Sequence, residues 1–262
     1  MNEKVRQLVE ELFTDPRYLL RGEAERFEDK RLAFSEVCPL LSATGEPIGQ
    51  LLLSREYGRR GRPDGERPHE QESLLDFYHD QLDQGHLPAL TKEAAGALRE
   101  ESWQYYIRRN FYFQLGEYDN ARADAEHNLG LLDLLQTYAA DEADKWSMAR
   151  WWPWIERDRA IAAALAALEQ EDLLTTASEL YRAEKSIREF GEQHAERYAQ
   201  EDGDKLAPAM ISHIARIAEL LREEEGLPEA PEERLERAVE AGDAEEIERL
   251  RREMERELSG EA

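Results

Sequence analysis

The chain holds a single cysteine, Cys38, so it can form no internal disulfide, which fits a reducing compartment. Positive charge is scarce too: 34 Lys and Arg stand against 59 Asp and Glu, a formal net charge of -25. A surface of that sign repels phosphates, so direct nucleic-acid binding is not expected. No run approaches the roughly 18 uninterrupted apolar residues that a membrane-spanning helix needs. The opening MNEKVRQLVEELF lacks the basic segment, apolar run and small-residue cleavage site of a signal peptide. The expectation is a cytoplasmic protein without membrane contact. Glycine-rich phosphate loops, nucleophile elbows, zinc-finger spacings and dinucleotide fingerprints are missing as well. Cys38 precedes a proline and has no histidine nearby, which argues against a thiol nucleophile. These absences point away from an enzyme and imply no cofactor.

What is present is mostly helical patterning over 262 residues, enough for a sizeable core. Val5, Leu8, Val9, Leu12 and Phe13 recur at helical spacing and predict a short helix ending near Asp15-Pro16. VCPLLSATGEPIGQLLLS places two apolar runs around the turn-rich SATGEPIG. It reads as a β-hairpin, with helix–loop–helix as the alternative. Gly58 to Pro68, inside a local basic patch, reads as a mobile Arg/Gly/Pro loop.

From Glu72 the helical period is sustained, with breaks at Gly85, Gly116 and Gly203. GLPEAPEE then interrupts the chain before a last charged helical pair. The expected fold is mostly α: stacked antiparallel helical pairs after a small irregular or β-hairpin N-terminal region, closed by a C-terminal helical hairpin. The expected regions are 1–70, 71–225 and 226–262.

NFYFQLGEYDNARADAE (Asn110 to Glu126) sets aromatics before a glycine and alanines after it. Over about 102–135 this resembles a tetratricopeptide repeat, a helix–turn–helix unit with large residues on its first helix and small ones on its second. Tyr105 and Tyr112 fill large positions, Gly116 suits a left-handed cap, Asp119 suits the next N-cap, and Ala121 and Ala125 permit close approach. Arg108 and Arg109 depart from the family's leucine and small residue, Asn128 from an alanine, and Asp133 from a frequent proline. A weaker echo follows at 158–191. A generic antiparallel bundle uses the same packing rules and remains the alternative. On the family's ligand face lie Trp103, Tyr106, Asn110, Phe113 and Gln114, rings for buried area and amides for a peptide backbone. The competing reading of these rings is core packing.

RLERAVEAGDAEEIERLRREMEREL places Gly242 between two apolar stripes, with Asp243 and Glu246 spaced as a capping box. Over about 231–258 it resembles the UVR motif of excision-repair subunits and of partners of Clp-type ATPases. Asp243-Ala244-Glu245 and Leu250-Arg251-Arg252 fit its spacing, while its aromatic, both alanines and last aspartate are absent. An ordinary acidic hairpin is the alternative.

Two further clusters carry possible chemistry. Asp76, His79, Asp83 and His86 share a helix face, with Asp124 and His127 a second Asp-x-x-His. Such pairs are metal-ligand chemistry, but an acidic chain produces them by chance, so no metal is expected; His79, Asp83 and His86 are weak candidates. KWSMARWWPWIERD groups Trp146, Trp151 and Trp154, which suit an interface or a core. The functional expectation is a scaffold or adaptor that binds a protein or peptide. The UVR-like hairpin implies a Clp-type protease or chaperone ATPase as partner. The alternatives are a metal-binding bundle or enzyme using the Asp/His face, and a repair-associated protein.

Overall fold

The computed structural model describes residues 2–13, 36–41, 47–53, 61–86, 89–200 and 205–259, the backbone alone in the two strands and over 256–259. Outside the described residues lie the SATGE part of the turn, Arg55 to Arg60, and the break at Gly203. The chain divides into two compact units, Arg6–Ala162, and Ala163–Ala262 with Met1–Val5. Both are mostly helical, and among the described residues no helix is long and apolar enough to cross a membrane.

The first unit runs through most of α1 (Glu3–Phe13), strands β1 (Glu36–Leu41) and β2 (Pro47–Leu53), then α2 (Leu74–Asp83), α3 (Lys92–Leu115), α4 (Tyr118–Tyr138), α5 (Glu142–Ala149) and the start of α6 (Trp152–Glu169). The strands are antiparallel, with Val37 opposite Leu52 and Cys38 opposite Leu51. Polar side chains start the helices by accepting backbone N–H groups that would otherwise be unpaired. Ser73 Oγ accepts from Asp76 N at 3.0 Å, Thr91 Oγ1 from Ala94 N at 3.2 Å and Asp141 Oδ1 from Ala143 N at 2.8 Å. Asp119 does not cap α4 as expected; it lies in the first turn, because the helix already begins at Tyr118.

Between α3 and α4 the chain turns at Gly116, at φ 72°. Gly116 N donates to Phe113 O at 3.2 Å and Glu117 N to Tyr112 O at 2.9 Å, the paired bonds of a left-handed helix end. Leu98, Leu131, Leu135 and Ile155 then meet in one apolar core with Leu75 and Met148.

The described part of the expected mobile loop leaves Asp64 to Arg67 exposed but is tied down at its start. Arg62 N donates to Glu72 O at 3.0 Å, Gly61 O accepts from Arg108 Nη1 at 2.8 Å, and Pro63 is buried. The physical reason is buried charge on α3: Arg108 and Glu101 need partners, and this backbone supplies some of them. Glu101 Oε2 accepts from Leu74 N at 2.9 Å, placing a carboxylate at the positive end of α2.

The second unit contains the end of α6 and α7 (Leu173–Gln193), α8 (Ala195–Gln200), α9 (Leu206–Glu224), α10 (Pro231–Ala241) and α11 (Ala244–Ser259). Leu180, Ile187, Ile214 and Leu221 are buried in it. The acidic face of α10 is fastened to α7: Ser178 Oγ donates to Glu232 at 2.9 Å, Tyr181 Oη donates to Glu236 at 2.5 Å, and Lys185 pairs with Glu236. Hydrogen bonding to Glu232 and Glu236 thereby gives otherwise repelling acids fixed partners. Asn2 N donates to Glu225 at 2.9 Å, tying the chain's start to the end of α9. Gly242, at φ 70°, turns α10 into α11, with Asp243 Oδ1 accepting from Glu246 N at 3.1 Å.

A Cβ at either glycine meets nothing within 4 Å, so the left-handed backbone is what opposes substitution. Gly116→Val is therefore expected to lower stability by roughly 1–2 kcal/mol or more in denaturant unfolding. Gly242→Val carries a similar penalty but loosens α10 against α11, which amide hydrogen exchange over 231–255 would register. Wild-type behaviour of both variants would contradict these assignments.

Candidate functional site

The neighbouring arginines Arg108 and Arg109 are both buried on α3, and each reaches a different helix. Arg108 Nε and Nη2 donate to Asp124 of α4 at 2.8 and 2.5 Å, a bidentate charge-assisted pair. Burial works against the Arg108 charge, but Asp124 overcomes it and holds the guanidinium above its ordinary value. Burial likewise pushes the nearby Tyr105 phenol up, with Arg108 opposing. His127 stacks on Tyr105 with ring centroids 3.7 Å apart, and its Nε2 lies 3.0 Å from Glu101 Oε1. Asp124 and His127 both belong to a buried polar layer.

Arg109 turns the other way. Its Nη2 lies 2.7 Å from Asp158 Oδ2 on α6, an ion-pair contact off the line of a hydrogen bond. Arg157 pairs with the same carboxylate through Oδ1. The Arg109 guanidinium also sits 5.4 Å from the centre of the Tyr106 ring.

Beside this pair opens a cavity of about 370 Å³, within the ~300–1,000 Å³ range of small-ligand sites. Its aromatic wall is continuous. Trp103 stacks on Tyr106 at 5.1 Å, Tyr106 meets Trp154 edge-on at 6.2 Å, and Trp154 meets Trp151 edge-on at 6.2 Å. Trp103 and Trp151 remain 44% and 42% exposed, so two indoles stand at the opening. Arg99, Arg109 and Asn128 add polar groups to the lining, and Arg99 Nη1 donates to Asp144 at 2.8 Å. The described lining contains no histidine, cysteine or carboxylate.

Of the residues expected on one ligand face, only Trp103 and Tyr106 line this cavity. Phe113 is buried and stacks on Phe13 of α1 at 3.5 Å, and Gln114 Nε2 donates to Phe13 O at 3.4 Å. Asn110 is buried, and its Nδ2 donates to Tyr106 O at 2.7 Å within its own helix. The five do share a helical stripe, but α1 covers its far end, a contact about a hundred residues distant in sequence. Trp151 and Trp154 do line the cavity, whereas Trp146 is buried on α5 and does not. His79, Asp83 and His86 are exposed, and among the described residues no three His, Cys, Asp or Glu side chains are grouped to hold a metal.

The sequence alone does not single out Arg109, Asn128 or Asp158 for this site. Arg109 and Asn128 stand out in it only as departures from a repeat pattern, yet a polar group at a packing position is itself a signal that a partner is needed. Asp158 follows Glu156 and Arg157 just before an alanine-rich run, an unusual place for buried acid. No family model, curated protein or solved structure matches the chain.

Asp158→Asn removes the carboxylate charge from Arg109 without changing shape. It is expected to lower stability by about 3–5 kcal/mol, the usual penalty for orphaning a buried charge. Chemical denaturation followed by circular dichroism measures this, and a change below 1 kcal/mol would show the pair to be unimportant.

Proposed function

We propose that this chain is a protein-interaction module, a scaffold or adaptor, that seats a segment of its partner in the aromatic cavity of the first unit. The observation that carries the reading is the run of four rings, two at the opening, over a buried arginine. Trp, Tyr and Arg are enriched among the residues that carry most of an interface's energy, and the two aromatics bury large area with only about two rotatable side-chain bonds each. A lining without histidine, cysteine or carboxylate favours holding a ligand over acid–base or nucleophilic chemistry on it.

The α3–α4 pair, which supplies two of the four rings and Asn128, is also the stretch with the resemblance to the tetratricopeptide repeat, a family of peptide-binding scaffolds. The UVR-like α10–α11 segment supports a second contact, to a Clp-type protease or chaperone ATPase. Val239, exposed on α10, gives that contact an apolar foothold.

A photo-crosslinking amino acid placed at Trp103 tests the cavity reading directly. In lysate it is expected to trap a discrete partner, and Trp151→Ala in the same chain is expected to reduce trapping at least tenfold. Asn110→Ala, whose side chain bonds within its own helix, should leave trapping unchanged. Thermal melts of the variants separate lost binding from lost fold. Trapping insensitive to Trp151, or confined to a probe placed elsewhere, would remove the cavity from the interaction.

A further inference from the structure

Three residues that line the cavity carry buried polar atoms that the protein itself leaves unmatched. Arg109 is 0% exposed, yet its Nε and Nη1 find no acceptor. Asn128 is 1% exposed, and its Oδ1 finds no donor. Trp154 Nε1 is buried without an acceptor. Buried polar atoms are nearly always matched, so three unmatched groups on one cavity describe what is missing. Two call for an acceptor, one of them through a positive charge, and the third calls for an N–H or O–H. Around them stand the faces and edges of Trp103, Tyr106 and Trp151.

We infer that the cavity receives an aromatic carboxylate bearing one hydrogen-bond donor, the chemistry of an aromatic residue at the C-terminus of a polypeptide. This deepens the partner-binding reading above and rests on it. The ring packs among the indoles in the offset and edge-on arrangements that aromatic quadrupoles favour. The carboxylate meets the free N–H groups of Arg109, where a charge-assisted bond is strongest. The Trp154 N–H supplies a further donor, and the residue's own amide N–H reaches Asn128 Oδ1. An alkylammonium ligand, the usual guest of an aromatic cage, would lie against the Arg109 and Arg99 guanidiniums and be repelled. A neutral aromatic would leave the Arg109 donors as they are.

Calorimetric titration of the full chain tests the chemistry with defined probes. N-acetyl-L-tryptophan is expected to bind at least tenfold more tightly than N-acetyl-L-tryptophanamide, which keeps the ring and donor but lacks the charge. Arg109→Gln should abolish that difference. Asn128→Leu should abolish the preference for N-acetyl-L-tryptophan over indole-3-propionate, which lacks the amide N–H. Trp151→Ala should weaken acid and amide together. A pentapeptide ending in tryptophan with a free carboxylate locates the source: tighter binding than the single residue assigns a chain end, and weaker binding assigns a free aromatic acid. Both results carry the shared chemistry. Should Arg109→Gln melt below the assay temperature, the wild-type acid-to-amide ratio and the Asn128→Leu arm decide alone. Equal affinity for acid and amide, both lost in Trp151→Ala, would overturn the carboxylate while the cavity remains a binding site. If no probe binds, this inference fails, and crosslinking from Trp103 decides separately whether a partner occupies the cavity.

Discussion

Two adjacent arginines on α3 must each find a carboxylate inside the first unit, and much of its architecture answers to that demand. Successive residues on an α-helix point about 100° apart, so Arg108 and Arg109 cannot share a partner on one neighbour. Arg108 takes Asp124 on α4 and Gly61 O, while Arg109 takes Asp158 on α6. A buried ion pair adds little stability over well-packed apolar residues, but losing one member is heavily penalised. Such pairs therefore act as selectors. A slide of α3 by one residue would carry one guanidinium into the other's place and leave one of the two carboxylates without its α3 partner.

The helical body was legible because its signals are local. Apolar periodicity, Ser73, Thr91 and Asp141 as caps, and glycines at 116 and 242 are read within a few residues of each other. The candidate site was legible in part. The rings of Trp103, Tyr106, Trp151 and Trp154 were identified, since large aromatics show in any alphabet. What could not be read is which part of the α3 stripe stays open. Phe113 and Gln114 share the periodicity of Trp103 and differ only in being covered by Phe13. Arg109 and Asn128 were read as flaws in a repeat, although burial makes a flaw of that kind a requirement on something else.

Charge acts at two ranges here, and they oppose one another. The net charge of -25 disfavours anions at a distance, but screening confines that field to about 8 Å at physiological ionic strength. The positive groups lining the cavity are Arg109, which is buried, and Arg99, which is paired with Asp144. Long-range repulsion therefore selects against loose anions, and in the proposed reading short-range matching would select for one that also fills the aromatic wall. In the proposed reading, a partner whose aromatic acid is preceded by basic residues would satisfy both fields, whereas an acidic one would satisfy only the inner. Specificity of this form arises from repelling the wrong partner as well as holding the right one.

The opening itself follows from a shortage of covering helix. α3 has 24 residues and α1 has 11, roughly 36 and 16 Å at 1.5 Å per residue. α1 meets α3 at Phe13 and Phe113, about three turns beyond Trp103. The aromatic stripe continues past the reach of that contact, so its near end must be closed by something else. α5 and the start of α6 close one side with Met148, Trp154 and Ile155, leaving Trp103 and Trp151 half in water. Two half-exposed indoles facing one cavity retain apolar area that a ligand could still remove from solvent, and in the proposed reading Arg109 would limit which ligand does so.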